Sequence, residues 1–143
     1  MSRSAEIDFS FYDPVEVSGV LRRLEARGVV LKNEGEVSYI LDSDDMFDWV
    51  RVGADEFDRV LLEVDAASSV QATFVVSALF EGTDSGGEII FHKGRTEVSF
   101  SATVNRRYVA PGSHFCDFGW YLDILVPALE SLGLRELEAR DYK

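Results

Sequence analysis

Cysteine is nearly absent from this chain of 143 residues: Cys116 stands alone. One cysteine cannot build a disulfide framework within the chain, which fits a reducing compartment. Histidine is almost as scarce. His92 and His114, with Cys116 and Asp117, are the only soft-metal candidates, and His114-x-Cys116 is too tight a spacing for a zinc knuckle that also lacks a second cysteine pair. Positive charge is thin as well, with 14 Lys and Arg against 26 Asp and Glu and a formal net charge of −12. That balance excludes a nucleic-acid binder, because neutralising phosphates takes clustered Lys and Arg. No long hydrophobic run exists. The longest, Ala72 to Phe80, is about half a membrane span and is broken by Thr73 and Ser77. Residues Met1 to Glu6 lack the apolar core of a signal peptide, so the chain is expected to be cytoplasmic.

What is present is an ordered globular composition, 46% apolar with ten Phe, in a length that suits one domain, 1–143. Ile7, Phe9 and Phe11 alternate with Asp8 and Ser10, the pattern of a half-buried strand. A helix is expected next, with Asp13 as N-cap, Pro14 at its first position and Glu16 completing a capping box, and with Tyr12 stapled on Val17. Val17, Val20, Leu21 and Leu24 form its apolar stripe, and Gly28 ends it. Gly19 inside the helix predicts a close backbone approach.

Val29 to Lys32 and Glu36 to Leu41 read as strands joined through Asn33-Glu34-Gly35, with Gly35 supplying positive φ. Residues 42–52 read as a turn plus a short helix or bridge, with Trp49 to Val52 as a possible extended piece. Phe57, Val60, Leu61 and Val64 predict a helix over 55–67. Residues 71–104 predict a three-stranded meander, with 82–87 as a flexible Gly-rich loop. Phe118, Leu122, Leu125, Leu129 and Leu132 predict a last helix over 117–132, with Pro127 inside it, and Leu134 to Ala139 a final strand. Local hairpins dominate this order. The expected fold class is therefore α+β: a mostly antiparallel sheet with about three helices on one face.

No catalytic constellation is legible, so the chain reads as a non-enzyme without cofactor or metal. Gly82 to Gly87 lacks the Lys-Ser/Thr ending and following helix of a phosphate cradle. Asp42-Ser-Asp44-Asp45 begins like a divalent-ion loop, but Met46 and Phe47 occupy the positions where an EF-hand needs an acid or Asn and then Gly. Lys93, Arg95, Arg106 and Arg107 form one basic cluster in sequence, suited to balancing charge within the molecule.

The strongest bias is an acidic block from Asp42 to Asp65, nine acids against Arg51 and Arg59, which holds −7 of the net −12. Its second half suits a helix start and a solvated helix face. The first half has no such account, and Asp42, Asp44, Asp45, Asp48 and Trp49 are the candidate partner-binding residues: a ring to bury with a charged rim around it.

In size, in the Asp42–Asp65 block and in the lack of a catalytic motif, the chain resembles the immunity proteins of bacterial polymorphic toxin systems. The run Asp117-Phe-Gly-Trp-Tyr-Leu122 with Val126-Pro-Ala-Leu129 is similar to segments of small bacterial proteins of this sort. The resemblance implies a stoichiometric inhibitor that covers a basic site on a toxin; it assigns no individual residue. A small-ligand or regulatory domain, with a pocket between sheet and helices lined by Phe74, Phe91, Phe100, Phe115 and Phe118, is the alternative. A homodimer through a sheet edge is compatible with both.

Overall fold

Alternation and helical stripes turn into strands and helices much as the pattern demands. The computed structural model describes residues 3–42 and 48–143. In chain order they form β1 (Ser4–Phe11), α1 (Val17–Glu25), β2 (Val29–Val30), β3 (Lys32–Asn33), β4 (Glu36–Asp42), β5 (Val50–Gly53), α2 (Ala54–Asp65), β6 (Thr73–Phe80), β7 (Gly86–Phe91), β8 (Glu97–Val104), α3 (Phe118–Leu129) and β9 (Leu134–Tyr142). Short 3-10 turns follow α2 at Ala67–Ser69 and α3 at Glu130–Leu132. The fold is α+β, as the pattern predicts.

Every strand pairing among the described residues is antiparallel, in the order β3-β4-β6-β7-β8-β1-β9, with β2 on β6 and β5 on β4. The first and last long strands are thus neighbours, β1 lying between β8 and β9. Register places Ile7 against Phe100 and Phe9 against Val98, and Phe74 against Phe91. These residues share one face and one core with Val17, Val20, Leu21 and Leu24 of α1, Phe57, Leu61 and Val64 of α2, and Tyr121, Leu125, Ala128 and Leu129 of α3. An aromatic knot of Phe80, Phe100, Trp120 and Tyr121, with centroid separations of 5.0–5.6 Å, fastens α3 to the sheet.

Several local expectations are corrected. Helix α1 starts at Val17, not at Pro14, and its N-cap Glu16 makes no side-chain cap. The N–H groups of Val17 and Ser18 go instead to the carboxylate of Asp65, at the far end of α2. Tyr12 is 70% exposed, so no staple onto Val17 forms. A Cβ at Gly19 would meet only the Glu16 Cβ at 3.8 Å, an ordinary contact, so no backbone approach explains that glycine.

Trp49 to Val52 takes the extended option: Val50–Gly53 pairs with β4. The loop expected over 82–87 is shorter, because Gly86 and Gly87 belong to β7. A Cβ at Gly86 would overlap the Ala78 carbonyl, and one at Gly87 the Ser101 carbonyl, so only glycine admits the two flanking strands. The Glu34-Gly35 turn, with φ of 55° and 80°, has the double positive φ of a two-residue hairpin.

Candidate functional site

The sheet face turned away from the helices gathers polar groups that sequence reading did not connect. Asp8 lies beside Ser99 in register, and Glu6 beside Ser101 and Arg140. The Ser99 hydroxyl donates to Asp8 Oδ1 at 2.6 Å and lies 2.7 Å from His92 Nε2. Arg140 spans Asp8 Oδ2 at 2.7 Å and Glu6 Oε1 at 2.9 Å, and the Tyr142 hydroxyl donates to Glu6. The neighbouring carboxylates of Asp8, Glu6 and Glu138 hold the Arg140 guanidinium above its ordinary pKa. A serine, a histidine and an aspartate meet here, yet not as a nucleophilic triad. Ser99 is 3% exposed and its hydroxyl is hydrogen-bonded to Asp8, so the oxygen is not presented to solvent. The network is a cross-strand latch. Outward-facing Asp8 was legible from the alternation in β1; its partners were not, because they depend on which strands become neighbours.

Cys116 and His114 separate: the histidine is exposed, the cysteine buried at 4%. Burial pushes the Cys116 thiol up to about 11, so it is protonated at neutral pH and a poor nucleophile. Among the described residues, no group of three or more His, Cys, Asp and Glu is arranged to hold a metal ion.

The basic cluster expected from sequence divides between the two ends of β8. Arg95 is 3% exposed, and its guanidinium donates to the carbonyls of Ser69, Ala72, Phe91 and His92. Burial lowers its pKa while the charge of Asp65 raises it. Arg107 lies with its guanidinium carbon 4.2 Å from the Trp120 ring centroid, and Arg106 binds the Ala102 and Arg3 carbonyls at 3.0 Å each.

The expected ligand pocket between sheet and helices is filled: Phe74, Phe91 and Phe100 are 0, 0 and 3% exposed within the core. Phe115, expected to line it, is 56% exposed and borders a different cleft of about 910 Å³ at the β8 end of the sheet.

The partner-binding candidates divide too. Asp42 closes β4 opposite Thr73 and is 4% exposed, with no hydrogen-bond partner for Oδ1 among the described residues. It therefore leaves the solvent-facing set that the sequence suggested. Asp44 and Asp45 lie outside the described residues. Asp48 is exposed, and Trp49 is 46% exposed. Val50 in β5, next to Trp49 in the chain, is also exposed, as is Leu62 in α2 at 76%. Asp55, Glu56, Asp58 and Glu63 face solvent on α2. Burial, followed by the charges of Glu63 and Glu56, raises the Tyr39 hydroxyl pKa.

No helix among the described residues is long and apolar enough to cross a membrane. Compared with protein-family models, curated proteins and solved structures, the chain matches none.

Proposed function

We propose that the protein is a stoichiometric protein-binding module, an immunity- or antitoxin-like inhibitor that covers a basic site on a toxin with an acidic face. The exposure of Trp49 carries this reading. A tryptophan with nearly half its surface in water, between the exposed Asp48 and the exposed Val50, has the make-up of a binding anchor inside a charged rim. The outward acids of α2 and the exposed Leu62 extend the same chemistry along the next element. Burial is the main cause of the raised Tyr39 hydroxyl pKa, and the charges of Glu63 and then Glu56 add to it, so these two carboxylates contribute negative potential near that ring. Opposite charge on a partner speeds encounter, to on the order of 10⁸ M⁻¹s⁻¹ at low salt, and no chemistry is asked of the chain itself.

The test is a titration of the captured and purified partner against wild type, Trp49→Ala, and a triple Asp→Asn variant at 44, 45 and 48. Trp49→Ala is expected to weaken binding roughly tenfold or more, as truncating an anchor does. The charge variant is expected to slow association and flatten its salt dependence. Unchanged affinity in both variants sinks the acidic-face reading.

A further inference from the structure

The cleft at the β8 end of the sheet shares no residue with the proposed acidic face and has the opposite chemistry. It opens where the start of β1, the end of β8, residues 105–115 and the end of β9 converge. Its volume of about 910 Å³ falls in the size range of small-molecule sites. Arg3, Arg106, His114 and Lys143 line it, with Tyr108 and Phe115 as its aromatic walls. Asp84 is the one acidic side chain in the lining. A positive lining in a chain of net charge −12 runs against the overall field.

The two arginines are held differently. Arg3 is committed to Asp141, with Nε 3.0 Å from Oδ1, so those charges cancel. Arg106 donates Nε to the Ala102 carbonyl and Nη2 to the Arg3 carbonyl, and among the described residues it makes no ion pair. Carbonyls fix the guanidinium, and the nearby Asp141 carboxylate that attracts it is bonded directly to Arg3 instead. The result is a pre-oriented cation with donor capacity to spare, the group that suits a planar carboxylate or a phosphate.

The aromatic walls are fixed as well. Tyr108 bridges Cys116, Val109 N–H donates to the Phe115 carbonyl, and Phe115 N–H donates to Ser113 Oγ. The Arg3 guanidinium carbon lies 4.5 Å from the Phe115 ring centroid, yet that ring is 56% exposed and Tyr108 is 50% exposed. Two large rings held in water beside a guanidinium that makes no direct ion pair among the described residues ask for a ligand with both a ring and a negative charge.

We propose that this cleft binds a small organic anion bearing a flat ring, with Arg106 as the anion anchor and Phe115 and Tyr108 as the stacking surface. Lys143 adds charge at the rim, and the exposed His114 adds ring nitrogens that can hydrogen-bond there.

The experiment is an amide NMR titration of the full chain with phenyl phosphate, and in parallel with inorganic phosphate and benzylamine. Phenyl phosphate is expected to saturate in the millimolar range, moving the amides of Arg106, Tyr108, His114 and Phe115, and to bind roughly fivefold or more tighter than inorganic phosphate. Benzylamine, with the ring and the wrong charge, is expected not to saturate. Arg106→Gln and Phe115→Ala should each weaken phenyl phosphate roughly fivefold or more. Because Arg106 also ties two carbonyls, Lys143→Gln serves as a charge variant at a side chain with no hydrogen bond among the described residues, expected to weaken binding about twofold to threefold. Failure of phenyl phosphate to saturate by about 20 mM, shifts confined to residues outside the cleft, or unchanged affinity in both Phe115→Ala and Lys143→Gln overturns the assignment.

Discussion

Asp65, the last residue of α2, accepts the backbone N–H of Val17, the first residue of α1, at 2.7 Å. One carboxylate thus caps a helix 48 positions away and ties two helices together. It also sits in the positive field of a helix N-terminus, where negative charge is stabilising. Asp65→Ala is expected to cost about 1–2 kcal/mol, as losing an N-cap does, and Asp65→Asn less because its amide oxygen still accepts. Glu16, the residue at the local cap position, makes no side-chain cap, so Glu16→Ala should be close to neutral. Urea unfolding of the three variants checks this; equal costs for Glu16→Ala and Asp65→Ala refute the remote cap.

Arg95 should be the most sensitive charged position. Its buried guanidinium donates to four carbonyls, of which those of Ser69 and His92 also accept a backbone N–H. Arg95→Met should cost about 1–3 kcal/mol through the lost charge-assisted hydrogen bonds. Arg95→Lys should recover little, because one ammonium cannot reproduce the planar fork. Chemical denaturation of both variants measures the difference, and a lysine variant as stable as wild type contradicts the fork argument.

Cys116 is expected to resist thiol reagents in the native protein. With its thiol pushed from 9.0 to about 11, the thiolate fraction at pH 8 falls about a hundredfold, and burial blocks access further. Labelling with a chromogenic disulfide should be slow until denaturant is added. Fast labelling of the folded chain contradicts the burial.

Asp141 predicts an acid limb to the stability curve. Burial works against its charge, but the Cys116 N–H at 2.6 Å, the Arg3 guanidinium and the nearby Arg106 outweigh it and hold the carboxyl below the ordinary value of 3.8. With the folded pKa below the unfolded one, the stabilisation is complete above the unfolded value and is lost as pH falls through the folded one. Unfolding free energies of wild type and Asp141→Asn should converge as pH drops from 5 toward 2. A gap that stays constant over that window removes the linkage.

The α1 stripe of Val17, Val20, Leu21 and Leu24 was legible because burial follows a 3.6-residue period that residues carry locally. In α3 the stripe was read one step off. Leu125 and Leu129 are buried as expected, but Tyr121 and Ala128 complete the core while Phe118, Leu122 and Leu132 are only partly buried. A helix this apolar has no polar side from which to take the bearing. The β9 reading stopped three residues early, at Ala139 rather than Tyr142, because pairing with β1 continues past the alternating pattern.

The candidate site was less legible. The sequence showed that Asp48 and Trp49 sit in an acidic stretch and that Leu62 falls off the α2 stripe, but gave no sign that Asp42 would be buried or that Val50 would be exposed. The cleft was also invisible, since Arg3, Arg106, Phe115 and Lys143 are up to 140 positions apart in the sequence.

By itself, then, the amino-acid sequence determined the α+β class, the apolar faces of β1, α1 and α2, the turn at Gly35 and the excess of negative charge. Each rests on local periodicity, on a residue's own backbone freedom, or on composition. Tertiary structure alone decided that Asp65 caps α1, that Gly86 and Gly87 lie under neighbouring carbonyls, that Ser99 meets Asp8, and that cations collect around one cleft. Those relations depend on strand register and helix placement, which are set by burying all the apolar faces at once, and no local window of the chain contains that information.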